Sequence, residues 1–334
     1  MKMKVITHRI GNKINGEGML LSQRELQLNE QTTEELKDLF LSSFKSDETY
    51  QFYSDSYLSN NDVYRSVSAI FENPETFLFE SESIAKTLFD AAENPRIAGG
   101  ELFVVLFESE KPENNQIGIF KTEKRESILK FSYANDVLEI EKDQGVSLNK
   151  IDKAALIYNT GKETGYVISA VDNNKNGDVY YWFEDFLHIK QREDDYFHTN
   201  ELLMVFKDYI TKQLPQEYEV TKVDQVNFLK SSLTYFMEKE QFDFDEFTNE
   251  IFSDESVIES FAEFKTDYEH NMQANISEEF EINTAAVKKV KRHFKSVIKL
   301  DKNFQIHIHG DKKLLEQGED EKGKFYQLYF QKEQ

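Results

Sequence analysis

The spacing of apolar residues changes near Glu184, and this change constrains the fold more than any other feature of the chain. Before it, short segments alternate between apolar and polar residues, which is typical of half-buried strands. After it, apolar residues recur every three or four positions, as they do on one face of a helix. The chain therefore predicts an α+β fold in two parts, an α+β domain over 1–190 and a helical domain over 191–334.

The first part predicts a mainly antiparallel sheet accompanied by helices. Short loops join its later strands, and antiparallel strands are the ones that short loops can join. Turn-type residues separate most of the strands. Helices are expected over 29–43, 61–71 and 81–93. Strands are expected over 101–108, 116–122, 128–133, 153–158, 166–171 and 179–183.

The second part predicts helices followed by a terminal hairpin. Helical spacing is found over 200–213, 224–240, 243–252 and 257–264, so that 191–300 is expected to be helical. The last alternating segments are 304–309 and 324–330, with a polar loop between them. We expect these two segments to pair as an antiparallel hairpin within 304–330.

Composition narrows the class of protein. The chain has formal net charge −22 and no cysteine, which excludes a disulfide framework, a thiolate metal site and a cysteine nucleophile. It has no apolar run close to the ~18 residues of a membrane span, nor one long enough for a signal peptide. We expect a soluble cytoplasmic protein that does not act at membranes.

A basic segment, residues 284–302, stands out within this acidic chain. It has seven Lys and Arg residues and one acid, Asp301. A local basic strip can contact phosphates even where the global field repels them. The alternative is a helix face that is simply solvated. The candidate DNA-binding residues are Lys288, Lys289, Lys291, Arg292, Lys295 and Lys299.

Two local structures fit the basic segment. On a continuous helix its apolar residues, from Val287 to Ile298, fall on one arc with the bases beside them. Alternatively, the helix stops near Ser296, and 297–308 forms alternating strands around a turn at 301–303. The cluster from Lys288 to Lys295 is present in both cases.

An acidic region precedes the basic segment. Residues 238–281 contain 15 Asp and Glu residues and two Lys residues. Most of the surface of such a protein should repel DNA and attract basic proteins. A second interpretation is therefore an interaction protein whose 238–281 region docks a basic partner, for example a nucleoid enzyme, and which associates with DNA indirectly.

The sequence offers little support for catalysis. His307, His309 and Asp311 match the HxHxD core of metallo-β-lactamase-type hydrolases, and two imidazoles on one strand face would suit zinc. However, Lys312 follows where that family has His, and no His lies beyond it. We expect no metal site, no cofactor and no catalytic residues, with a metal-dependent hydrolase as the remaining enzymatic alternative.

Four short segments carry a family resemblance. They are HRIGNK at 8–13, LFVVLF at 102–107, YWFEDFL at 181–187 and FQIHIHG at 304–310. In this order they resemble the 37-kDa nucleoid-associated protein family of bacteria over essentially the whole chain. The resemblance implies a cytoplasmic protein found with the nucleoid and credited with DNA binding. It supplies neither a catalytic signature nor a residue-level DNA site.

Charge and resemblance together lead to one expectation of function. We expect a non-catalytic nucleoid-associated protein that binds DNA with little sequence preference, because bases that contact phosphates carry no sequence information. The sequence also allows a homo-oligomer.

Overall fold

The chain forms two compact units, Met1–Arg192 and Glu193–Gln334. The structure is a computed structural model. It describes residues 2–134, 137–147, 149–173, 181–294, 297–300, 302, 304–307, 315–321, 323–330 and 332.

The first unit combines strands with three described helices. Its helices are α1 (Glu30–Leu41), α2 (Asp62–Glu72) and α3 (Phe77–Ala91). Its strands are β1 (Lys2–Ile10), β2 (Met19–Leu20), β3 (Tyr50–Phe52), β4 (Gly100–Glu108), β5 (Gln116–Thr122), β6 (Glu126–Ala134), β7 (Val137–Gly145), β8 (Lys153–Tyr158), β9 (Val167–Asp172) and β10 (Ile189–Gln191).

The described strands of this unit form one large sheet and one separate hairpin. The sheet runs in the order β10-β3-β9-β8-β5-β4-β1-β2. Its neighbours pair antiparallel, as in the long ladder between β1 and β4. Strands β6 and β7 pair with each other instead. The α+β fold with an antiparallel sheet is therefore confirmed.

Helices cover both faces of the sheet, and β4 shows why. Leu102, Val104 and Leu106 face one side, where α2 and α3 complete the core. Val105 and Phe107 face the other side and pack with Phe40 of α1. Because successive strand residues point to opposite faces, a strand buried on both sides reads as a continuous apolar run.

The predicted strand over 179–183 is wrong where the structure describes it. Trp182–Leu187 is a π-helical turn, and residues 179–180 lie outside the described residues. Trp182, Phe186 and Leu187 are all buried in the core of the first unit. On a strand, Trp182 and Phe186 would share one face and Leu187 would point to the other, whereas the turn lets all three enter the same core.

The second unit is mainly helical in its described residues. Its helices are α4 (Asp195–Asp208), α5 (Leu214–Glu217), α6 (Lys222–Glu238), α7 (Phe244–Ile251), α8 (Glu255–Met272) and α9 (Thr284–Lys291). Its strands are β11 (Gln241–Asp243), β12 (Glu279–Glu281), β13 (Val297–Lys299), β14 (Gln305–His307), β15 (Leu315–Asp320) and β16 (Gly323–Leu328). A π-helical turn, Tyr209–Gln213, joins α4 to α5.

Aromatic side chains dominate the core of this unit. Two of them pair across a short two-stranded sheet in a region that was predicted to be helical. The 191–300 region is interrupted by β11 and β12, which pair antiparallel. Phe242 on β11 stacks on Phe280 of β12 with ring centroids 4.7 Å apart. Cross-strand aromatic pairs stabilise short strands, but residues so far apart in sequence leave no local signal.

The C-terminal strands form two hairpins, and their predicted pairing is wrong. A C-terminal hairpin is present, but β16 pairs with β15 rather than with the segment at 304–309. Strand β14 instead pairs with β13. Each strand thus pairs with its nearest neighbour in sequence, which costs less loop-closure entropy than the longer connection.

Candidate nucleic-acid interface

The basic cluster lies on α9, and this helix begins at a well-defined cap. The Asn283 side-chain oxygen accepts hydrogen bonds from the backbone N–H groups of Ala285 (3.0 Å) and Ala286 (3.1 Å). The backbone N–H of Asn283 donates to the Thr199 hydroxyl of α4 at 3.0 Å. The cap therefore fixes both the start of α9 and its attachment to α4.

One side of α9 is buried. Ala286, Val287 and Val290 are buried, and Phe294 follows them just beyond the helix. The last three belong to the aromatic core of the second unit. Because this side is fixed against the core, the remaining side of the helix is held outward.

The outward side carries the exposed bases Lys288, Lys289 and Lys291, and Arg292, also exposed, caps the helix at its C-terminus. Lys288, Lys291 and Arg292 are three and four residues apart, so that they share one face of the last turn. The Lys289 ammonium lies beside them, 5.4 Å from the centroid of the Tyr196 ring. The partial negative charge at the helix C-terminus stabilises cations at this place.

The other two candidate residues are only partly described. Lys295 lies outside the described residues, and of Lys299 the structure describes the backbone, within β13. Helix α9 ends at Lys291, so the helix-then-strand interpretation is confirmed over the continuous helix. Ile298 is buried against Val226 of α6. Lys288, Lys289, Lys291 and the capping residue Arg292, together called the α9 bases, are thus the candidate residues whose side chains the structure describes.

An acidic groove of about 680 Å³ lies elsewhere in the second unit. Glu259, Glu263 and Asp267 line it at four-residue spacing along α8. Glu217 lies at the same groove, and its carboxylate accepts a hydrogen bond from the Ser260 hydroxyl at 2.6 Å. This bond lowers the pKa of Glu217. Glu217 is therefore an ionised carboxylate at neutral pH, beside the three acids of α8.

Aromatic rings complete this groove. Tyr218, Phe264 and Tyr268 line it beside the acids. The Tyr268 hydroxyl donates to Glu201 at 2.7 Å, which holds the ring in place. Carboxylates next to aromatic faces suit the long side chains of Lys and Arg. The sequence indicated the acids but not the groove.

A buried network in the first unit has features that catalytic lysines also have. The Lys121 ammonium donates to the Ala98 carbonyl (2.6 Å), to Glu123 (3.0 Å) and to the Tyr181 hydroxyl (2.8 Å). Burial lowers the pKa of Lys121 and raises that of Tyr181. Perturbed groups of this kind often mark functional sites.

The surroundings of Lys121 favour a structural role. Each of its three ammonium protons has an acceptor, and its side chain is 2% exposed. Nearby, Lys153 pairs with Asp172 at 2.5 Å. Such a network joins the ends of β5, β8 and β9 to Tyr181. A nucleophilic lysine needs a free amine and access to substrate, so we assign no catalytic residue here.

The residues of the metal-dependent hydrolase alternative lie mostly outside the described residues. His307 is exposed on β14, whereas His309 and Asp311 lie outside the described residues. Within the described part of the chain, no group of three or more His, Asp or Glu residues is placed to hold a metal ion. In the same part of the chain, no helix is long and apolar enough to cross a membrane.

Comparison with known proteins gives a family match, which covers nearly the whole chain. A family model described as nucleoid-associated protein YejK matches residues 6–323. The comparison with curated proteins returns no match. The family match spans both units and all four segments on which the resemblance in the sequence was based.

Proposed function

The chain belongs to the family of the nucleoid-associated protein YejK, and from this premise we propose that it binds DNA directly through α9. Lys288, Lys289, Lys291 and Arg292 contact phosphates, and Lys295 and Lys299 extend the same basic strip. The observation that carries the proposal is the cluster of four exposed bases at the C-terminal end of a helix whose other side is buried.

Phosphate contacts determine the kind of binding. Contacts to the backbone position a protein on the duplex but do not read base edges. Binding through α9 therefore has little sequence preference. The protein acts in the cytoplasm at the nucleoid, without catalysis and without a cofactor.

The acidity of the chain is compatible with such a contact. The formal net charge of −22 repels DNA at long range. At physiological salt the Debye length is about 8 Å, so distant acids are largely screened. Direct ion pairs between α9 and phosphates act within that distance. The protein is consequently not attracted to DNA from a distance, and binding depends on the ion pairs of the local cluster.

A direct test uses duplexes of one length and different sequence. We expect the purified protein to bind A·T-rich and G·C-rich duplexes with similar affinity. The variant Lys288→Ala/Lys291→Ala/Arg292→Ala should weaken binding to both duplexes alike. Direct binding through α9 is ruled out if the wild-type protein leaves DNA unbound even at low salt.

A control variant separates the local cluster from total charge. Arg24→Ala/Lys45→Ala/Lys111→Ala also removes two Lys residues and one Arg residue, all exposed in the first unit. Because both variants change the net charge equally, we expect the control to bind DNA much as the wild type does. Equal losses in the two variants would assign the effect to overall charge.

The acidic groove supports a second candidate function, the docking of a basic protein partner. Glu259, Glu263 and Asp267 would pair with Lys and Arg side chains whose stems lie along the neighbouring rings. In this case the association with the nucleoid is indirect. This candidate replaces the first if DNA binding fails and basic-peptide binding succeeds.

An oligolysine peptide is a suitable probe for the groove. We expect Glu259→Gln/Glu263→Gln/Asp267→Asn to weaken its binding if the groove is the docking site. The control Glu34→Gln/Glu35→Gln/Asp38→Asn removes the same charges from exposed positions on α1. Equal binding by both variants would exclude the groove.

A further inference from the structure

The hairpin formed by β6 and β7 has one apolar face. Cross-strand partners share a face, and the partners on this one are Leu129 with Lys142, Phe131 with Ile140, and Tyr133 with Leu138. The centre of the opposite face pairs Lys130 with Glu141 and Ser132 with Glu139, and the apolar Ile128 and Val137 lie nearer its ends. The hairpin is thus amphipathic, like a strand pair whose apolar side packs on something.

The apolar face is exposed in the single chain. Its five apolar side chains are between 57% and 71% exposed. Strands β6 and β7 pair with each other and with no other described strand. An isolated two-stranded hairpin is marginally stable in water. A covering partner would therefore stabilise the hairpin as well as bury its face.

The charge of the hairpin disfavours DNA as the partner. Residues 126–145 contain five acids and two Lys residues. The face itself carries a single charged residue, Lys142. An anionic membrane surface is disfavoured for the same reason. Because the face itself is nearly uncharged, the partner surface that fits best is another apolar face with few charges on it.

We propose that the apolar face of this hairpin binds the same face of a second copy of the chain. By their fractional exposure, the five side chains expose on the order of 500 Å². That is at the upper end of the apolar patches found on monomers. Two such faces together bury about 1,000 Å², the lower bound for a specific interface.

A twofold arrangement makes the face complementary to itself. Lys142 lies toward the base of the hairpin, and Tyr133 lies toward its tip. If the two hairpins run in opposite directions, Lys142 of one copy meets the Tyr133 ring of the other. The central Phe131–Ile140 pairs then pack together. Such an isologous contact forms a closed dimer and leaves no further copy of the face exposed.

The full-length protein provides the test, by mass measurement in solution across concentration. We expect the wild type to approach twice its 39.3-kDa chain mass. Phe131→Glu should raise the dimer dissociation constant by at least about tenfold, because it buries a charge at the centre of the contact. The neighbouring variant Ser132→Glu, on the other face, should leave the dimer intact.

Salt distinguishes this dimer from an electrostatic one. An apolar contact between two copies of charge −22 should tighten when their repulsion is screened at about 1 M salt. Pairing of the α9 bases with the acidic groove of another copy should dissociate instead. The proposal is overturned by a monomeric wild type, by dissociation in high salt, or by equal behaviour of Phe131→Glu and Ser132→Glu. Unfolding followed by Trp182 fluorescence checks that both variants remain folded.

Discussion

His8 shows at the scale of one residue how burial fixes a protonation state. It lies on β1 and is 1% exposed. Its Nδ1 accepts a hydrogen bond from the Ser22 backbone N–H at 3.2 Å, so the ring proton is on Nε2, 3.1 Å from the Ser81 hydroxyl. Burial lowers the pKa of His8 below its ordinary value of 6.5. Protonation at Nδ1 would also break the bond to Ser22.

The pH dependence of stability follows from this lowered pKa. As the pH falls through 6.5, the unfolded chain binds a proton at His8 while the folded chain does not. The free energy of unfolding of the first unit should therefore decrease, down to the folded-state pKa. In His8→Gln this part of the dependence should be absent. Urea unfolding at two pH values measures it, and identical pH dependence in the two proteins would contradict the account.

Trp182 is a selective reporter for such experiments. It is the single tryptophan of the chain and is fully buried in the core of the first unit. Its fluorescence therefore follows the unfolding of this unit alone. Circular dichroism at the same time follows the helices of both units.

The buried network around Lys121 provides a second residue-scale prediction. Lys121→Met removes the ammonium that donates to Glu123 and to the Tyr181 hydroxyl, while Glu123 keeps its longer contact of 3.9 Å with Lys153. Breaking a buried ion pair on one side costs about 3–5 kcal/mol. The urea concentration at the midpoint of unfolding, followed by Trp182 fluorescence, should therefore be lower than in the wild type. As control, Lys162→Met removes an exposed ion pair with Glu72 and should leave the transition in place. Equal shifts would mean that the network is not buried as described.

At the scale of elements, α9 depends on its cap. Asn283→Ala removes the side-chain acceptor for two backbone N–H groups. We expect the second unit to lose about 1 kcal/mol of stability, as measured by circular dichroism, while the Trp182 signal is unchanged. Asn249→Ala, at an exposed position in α7, is the control and should have little effect.

Elements with strong local patterns could be predicted from the sequence, and those formed by distant residues could not. The apolar run of β4 and the helical spacing of α4 and α6 are local signals. Strands β3 and β10 have three residues each, which is too few to show the alternation of apolar and polar residues by which a strand is recognised. The bases of α9 stood out because charge is visible in a sequence. The acidic groove did not, because Glu217 and α8 come together only in the folded unit.

At the scale of the whole molecule, each unit has its own core. The aromatic cluster around Phe206 and Phe247 belongs to the second unit, and the sheet core belongs to the first. We propose that 1–192 and 193–334 are independent domains. Expressed separately, both should show cooperative thermal unfolding by circular dichroism. A 1–150 fragment lacks β8 and β9 from the middle of the sheet and should fail to fold. Independence is contradicted if either complete unit is unfolded alone.

The salt dependence of DNA affinity tests the central claim most directly. Each neutralised phosphate contributes about −0.9 to the slope of log affinity against log salt. The wild type should show a slope of about −3.6 from the four α9 bases, and a steeper one if Lys295 and Lys299 also bind. Lys288→Ala/Lys291→Ala/Arg292→Ala should flatten it by up to about three such contributions, and Arg24→Ala/Lys45→Ala/Lys111→Ala should leave it nearly unchanged. An unchanged slope and affinity in the α9 variant would show that these bases are only a solvated helix face.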